Sequence, residues 1–226
     1  MTFPDVIAID GPVASGKTTV GRALAVKLGF RFIDTGMMYR ACAFLALRAS
    51  IKLDDQVRLG ILARATMLRF VTALEGDRLF AGEEDVTDQL RTPAVQAAVS
   101  AVARVSSVRT AMVAQQQQMA VAGGVVMVGR DIGTKVLPRA AKLYLDASVA
   151  ERVRRRSVEE QGQMTFEEVS RNVELRDRVD SEREDSPLRV ADDALRVETE
   201  DLDVNGVVER ILGLLDGSKS DGPATG

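Results

Sequence analysis

The stretch VIAIDGPVASGKTTVGRAL, residues 6–24, limits more than any other what this chain can fold into. The apolar run VIAID stops at Gly11, and beyond Gly16 the residues Val20, Leu24 and Leu28 recur on one helical face. The period therefore changes from that of a buried strand to that of a helix across one glycine-rich loop. RFID (31–34) reads as a second strand, so the chain opens as a βαβ unit. Gly11, Gly16, Lys17 and Thr18 satisfy G-x-x-x-x-G-K-[ST] in the strand-to-helix setting that this motif requires. Glycines let the backbone wrap closely around an anion, which the loop amides and the positive helix end then face.

Helical patterns follow at 37–49 and 54–66, after which MLRFVTALEGDRLFAGEEDVT (67–87) changes to β-rich runs broken by EGD and AGEED, as antiparallel hairpins would be. Residues 67–91 are expected as a small β insert in a core made of 1–66 and 92–216. Pro93 after Thr92 opens a helix over 93–103, and another spans 106–121 with QQQQ (115–118) as a solvated face. GVVMVGR (124–130) and KLYLD (142–146) have the continuous apolar character of central parallel strands covered by helices on both faces. SVAE and TFEE read as capping boxes opening helices at Ser148 and Thr165, joined by the polar link EEQGQM (159–164), and 152–172 is expected as a mobile helical lid. ALRVET (194–199) is a last strand, 203–215 a last helix and 217–226 a disordered tail. The expected fold class is α/β, with a central parallel sheet covered by helices, a small antiparallel insert and a lid.

Composition closes off whole classes of chemistry. The chain has no histidine and one cysteine, which removes Ser-His-Asp and Cys-His catalysis, internal disulfides and the commonest metal ligand. Cys42, in the apolar helical run MMYRACAFLAL, is expected as a buried packing residue. Chemistry must come from carboxylates, Lys, Arg and an oxygen-bound cation such as Mg²⁺. A net charge of −3 argues against a nucleic-acid partner, while arginines crowded between Arg152 and Arg196 suggest a local site for a small polyanion. No apolar segment approaches the roughly 20 residues that span a bilayer. The N-terminus MTFPDVIAID lacks a signal-peptide pattern, so a cytoplasmic protein with no membrane partner is expected, and nothing in the sequence demands more than a monomer.

In a loop of this kind Gly11, Pro12, Val13, Ala14, Ser15, Gly16, Lys17, Thr18 and Thr19 would wrap the phosphates of a nucleoside triphosphate. Lys17, read as an ammonium on a surface loop, would reach the β- and γ-phosphates, and Thr18 would bind Mg²⁺. The loop alone leaves switch GTPases, motor-type ATPases and small kinases open. Neither Asn172 nor Asn205 begins the N-K-x-D of a guanine reader, and the chain is short for a motor. An acceptor kinase needs a second anion site, with cations to neutralise the transferring phosphoryl group. DTGMMYR (34–40) and GRDIGT (129–134), each following a strand at the same sheet edge, offer both.

Together IDGPVASGKTT, DTGMMYR, AGEEDVT, AVSAVARVSSVR, GRDIGT, YLDAS and RDRVDSEREDSPLRVADDA, in order over 7–199, resemble the bacterial cytidylate kinases of the nucleoside monophosphate kinase family. The resemblance implies transfer of the γ-phosphoryl group of ATP, with Mg²⁺, to CMP or dCMP; the insert, which enters between the helix after the second strand and Ser100, is expected on the monophosphate side. The resemblance assigns Arg40 and Arg130 to the acceptor's phosphate, Thr35, Arg109, Asp131 and Arg183 to cytosine, and Ser100, Arg176 and Asp180 to the sugar. Lys17, Arg130, Arg152 and Arg156 are the candidates for neutralising charge during transfer, although only some of Arg152, Arg155 and Arg156 can point the same way on one helix. Val128 departs from the pattern, since it precedes GRD where the family places an acid. Asp10 and Asp34 either compensate or are ordinary strand-end carboxylates.

Overall fold

The computed structural model describes residues 4–73, 76–160, 162 and 164–217. The chain runs β1 (Val6–Asp10), α1 (Lys17–Leu28), β2 (Arg31–Asp34), α2 (Thr35–Arg48), α3 (Gln56–Ala65), β3 (Leu68–Ala73), β4 (Gly76–Ala81), β5 (Glu84–Asp85), α4 (Pro93–Arg104) and α5 (Ser106–Ala120). It continues through β6 (Val125–Val128), β7 (Ala141–Asp146), α6 (Val149–Glu159), α7 (Phe166–Ser181), β8 (Leu195–Glu198) and α8 (Val204–Gly217). Of the sequence expectations, Glu75 in EGD, two residues of EEQGQM (161 and 163) and 218–226 of the tail lie outside the described residues, while Gly217 closes α8. Two compact units form, Met1–Arg31 with Gly123–Gly226, and Phe32–Ala122.

In the first unit the strands lie parallel in the order β6-β1-β7-β8. Ile9 is in register with Val128 on one side and Leu143 on the other, and every residue of β6 is buried. Burial on both faces explains the unbroken apolar runs: α1 packs on β6 and on α8, and α8 in turn on β8. α6 and α7 pair as a hairpin around Val153, Val169 and Val173.

The two capping boxes differ. Thr165 makes the full reciprocal arrangement, its hydroxyl accepting the Glu168 N–H and the Glu168 carboxylate accepting the Thr165 N–H. Ser148 makes half of one: its hydroxyl accepts the Glu151 N–H at 3.2 Å, but its own N–H donates to Glu200 at 3.1 Å. Hydrogen bonds from Arg154 and Arg155 claim the Glu151 carboxylate and pull it down to about 2. The arginine-rich composition of α6 has outcompeted the cap.

The second unit holds α2–α5 around Met38, Cys42, Leu59, Val102 and Met112, with the insert as an antiparallel sheet β3-β4-β5. Cys42 Sγ lies 3.6 Å from Met112 Sδ, and burial pushes the thiol up to about 12, so it is a packing residue. Only half of the glutamine run is the solvated face expected from its composition: Gln117 and Gln118 are exposed, Gln115 and Gln116 are not. Gln116 is buried, and Gln115 accepts from the Leu68 N–H at 3.0 Å and donates to the Thr66 carbonyl at 2.8 Å, clamping the chain where it enters β3. Among the described residues no single helix is long and apolar enough to cross a membrane; α4 and α5 would suffice together but bend by 94° at their junction.

Candidate active site

The glycine loop is shaped by its neighbours. A Cβ at Gly11 would stand 2.2 Å from the Leu145 carbonyl oxygen, so the chain can leave β1 along this path only over glycine. Ala14 (φ 57) and Gly16 (φ 88) are both left-handed and flank the buried Ser15, a geometry that turns successive amides toward one side. No side chain among the described residues caps α1 at Gly16, which leaves its first-turn amides suited to an anion. Lys17 is not a surface ammonium: it is 6% exposed, and Nζ donates to the Pro12 carbonyl and, at 3.1 Å, to Ser15 Oγ.

Asp10, the last residue of β1, supports the GRDIGT segment. Its Oδ1 accepts the Ile132 N–H at 2.8 Å and its Oδ2 the Gly133 N–H at 2.7 Å. These amides begin a π-type turn, Ile132–Val136, that the sequence did not announce and that follows directly on Asp131. Burial pushes the Asp10 carboxyl up to about 6, opposed by the two amides and by Lys17 and helped by Asp131. Both oxygens being engaged, Asp10 braces the GRDIGT segment. Val128 itself is 2% exposed, inside the sheet.

A stability prediction follows. Because the folded pKa is raised, folding takes up a proton at Asp10 between the unfolded value of 3.8 and about 6. The stability this protonation contributes is complete below 3.8 and lost as pH rises through about 6. Against Asp10→Asn, which cannot titrate, the wild type should gain roughly 2 kcal/mol on going from pH 7 to pH 4. Paired thermal melts across that range check it, and a constant difference between the two proteins would contradict it.

α7 carries Arg176 and Asp180 one turn apart, and Arg183 follows two residues beyond the helix end at Ser181. Arg130 Nε donates to Asp180 Oδ2 at 2.7 Å, and Arg183 Nη1 lies 3.9 Å from Asp180 Oδ1. Burial works to raise the Asp180 pKa, yet Arg130, Arg183 and Arg176 together hold it below the usual carboxylate value. The structure thus brings together four residues expected from the sequence.

Arg152, Arg155 and Arg156 of α6 point three ways, as their helical spacing requires. Arg152 is buried against the glycine loop, donating to the Val13 carbonyl at 3.2 Å and to Asp177 at 2.5 Å. Arg155 reaches the end of β8, donating to Thr199 Oγ1 at 2.9 Å and to the Thr199 carbonyl at 2.6 Å. Arg156 pairs with Glu159 at 2.9 Å and Glu160 at 2.5 Å. Asp177 and Thr199 were not singled out from sequence. Asp177 sits inside the RDRVDSERED run, but only its position one step around the helix from Arg176 distinguishes it.

Thr35, Arg40, Ser100 and Arg109 belong to the second unit. Asp34 caps α2 by accepting the Gly36 N–H at 2.8 Å and lies 3.5 Å from Arg40. Thr35 opens α2 and is buried, Ser100 is half-buried on α4, and the buried Arg109 guanidinium lies 5.5 Å from the Tyr39 ring centre. Asp34, like Asp10, is engaged by its surroundings.

Residues 7–216 match the family model described as cytidylate kinase. The chain is 44% identical to a cytidylate kinase of Bacillus licheniformis over 93% of this chain and 95% of that one. It is 46% identical to a cytidylate kinase of Geobacillus kaustophilus over 92% and 95%. A solved structure of an uncharacterised protein from Eubacterium ventriosum shares the fold with a TM-score of 0.50 at 14% identity, covering 94% of this chain and 98% of that one.

Proposed function

The chain belongs to the cytidylate kinase family, and from that premise we propose that it transfers the γ-phosphoryl group of ATP to CMP or dCMP, giving the diphosphate and ADP. One observation carries the reading: a loop with two left-handed residues and an uncapped helix start lies in the same unit as the Arg130–Asp180–Arg183 cluster. The first is a cradle for a polyphosphate donor, the second a fixed set of guanidiniums for a phosphate-bearing acceptor.

The division of labour is as follows. Residues 11–19 hold the ATP phosphates, and Lys17 exchanges the Pro12 carbonyl and Ser15 hydroxyl for β- and γ-phosphate oxygens. Arg130, pre-aimed by Asp180, and Arg40 take the acceptor's phosphate, with Arg176, Asp180 and Ser100 on its sugar and Asp131, Arg183, Thr35 and Arg109 on its base. Arg152 and Arg156 neutralise charge during transfer as the α6–α7 hairpin closes, Arg156 leaving Glu159 and Glu160 to do so. Thr18 holds Mg²⁺: no cluster of three or more acidic or sulfur ligands occurs among the described residues, and a single hydroxyl suits an ion that takes its other oxygens from phosphates and water. When bound, the ion withdraws charge from the β- and γ-phosphate oxygens. The enzyme works as a cytoplasmic monomer with no nucleic-acid or membrane partner.

With γ-labelled ATP and CMP, label should appear in CDP; label released as inorganic phosphate at the same rate with or without CMP would contradict transfer. Binding of a non-hydrolysable ATP analogue with CMP should slow amide exchange over 152–172, and unchanged exchange there would count against closure.

A further inference from the structure

We propose that Asp177 is a positioning residue for the phosphate loop, acting through a closed ring that it forms with Arg152 around Val13; the inference rests on the reading that residues 11–19 hold ATP. The Val13 N–H donates to Asp177 Oδ1 at 3.2 Å, Arg152 Nη1 donates to the Val13 carbonyl at 3.2 Å, and the same nitrogen donates to Asp177 Oδ2 at 2.5 Å. Both backbone groups of one loop residue are thus held by a single ion pair, one member from α6 and the other from α7. Arg152 is fixed from another direction by the Ala147 carbonyl at 3.2 Å. The Val13 side chain is held as well, packed with Val153, Val169 and Val173.

An ion pair serving only to join two helices has no need of a backbone partner. This one spends its hydrogen bonds on the residue immediately before Ala14, whose left-handed φ of 57 is unfavourable for any residue with a Cβ. By fixing the peptide planes on both sides of Val13, the ring holds the start of that turn and therefore the direction of the amides after it. The ring also makes α7 a shared beam. Arg176 and Asp180 lie one turn apart on the helix, Arg183 follows just past its end, and the Asp177 carboxylate reaches the loop at Val13. Any shift of α7 or of the hairpin is transmitted to Val13 through two hydrogen bonds and a packed side chain.

The test uses Asp177→Asn, which keeps the shape and an acceptor for the Val13 N–H but removes the charge that holds Arg152. Mg–ATP and CMP are titrated separately into each protein by calorimetry. The variant should bind Mg–ATP about tenfold more weakly and CMP within about twofold of the wild type, because a charge-assisted contact to the loop is lost and the acceptor residues are not. Mg–ATP affinity within about twofold of wild type, or equal weakening of both ligands, overturns the proposal. With Arg152→Gln added, the double variant should bind Mg–ATP no worse than the weaker single variant; additive losses overturn the ring as a unit. Should Asp177→Asn fail to fold, the unaltered protein still decides: its Val13 amide should exchange as slowly as those inside α1, and exchange at the rate of an open loop overturns the proposal. A wild type that binds no Mg–ATP would refute the loop reading instead, a result distinct from any of these.

Discussion

Replacing Lys17 by Met should lower kcat by about 10³-fold while leaving a folded protein. The ammonium is the one positive side chain placed within the loop itself, and in the transition state its charge would lie against oxygens that carry the developing negative charge. Met keeps the length and fills the 6% exposed space, so the cost to folding is limited to the Pro12 carbonyl and Ser15 hydroxyl losing their donor. That is about 1 kcal/mol, a few degrees in Tm. Removing Lys17 also removes a charge that lowers the Asp10 pKa, so Asp10 should titrate above about 6 in the variant. Circular dichroism establishes folding and a coupled ADP assay the rate. Turnover within about threefold of wild type would remove the phosphate loop from the mechanism.

The opening of the chain was legible because its signals agree: β1 and α1 run over Val6–Asp10 and Lys17–Leu28, as the change of period indicated. The buried strands β6 and β7, the antiparallel insert and the Thr165 box were legible for the same reason, since pattern, turn chemistry and cap each pointed one way. Polarity misled wherever a polar side chain turned inward to serve a backbone. Gln115 is a polar residue in a polar run, yet it clamps the entry to β3, because the neighbouring backbone had a donor and an acceptor to satisfy. Lys17 was read as exposed for the same reason, and Glu151 was read as half of a capping box although Arg154 and Arg155 claim it.

In the candidate site, motif residues were legible and their supports were not. Arg130, Asp180 and Arg183 converge as their motif implies, whereas the roles of Asp10 and Asp177 depend on contacts across long separations: Asp10 with residues 132 and 133, Asp177 with Val13 and Arg152. No local pattern encodes such a contact. The π-type turn after Asp131 escaped for a related reason, since the remote Asp10 carboxylate holds its first amides in addition to the turn's own backbone hydrogen bonds.

Base choice supplies the second large effect. Cytosine presents an N4 amine, a donor, beside an acceptor N3, whereas uracil presents an acceptor O4 beside a donor N3–H. A carboxylate such as Asp131, 5% exposed and set at the start of a braced turn, has an acceptor to offer the amine and nothing to offer O4. In the proposed site Arg183 would donate toward N3 and O2 and so repeat the preference. Facing uracil, both groups would be left unpaired at a cost of a few kcal/mol. Asp131→Ala should therefore reduce kcat/KM for CMP by about 10²-fold and leave the low value for UMP nearly unchanged. Equal losses on both substrates would show that Asp131 does not read the base.

The most direct measurement is ADP release by the unaltered enzyme with saturating Mg–ATP and a panel of nucleoside monophosphates. CMP or dCMP should exceed UMP by about 10² or more in kcat/KM, with purine monophosphates lower still. UMP phosphorylated as well as CMP would contradict the cytosine-reading site.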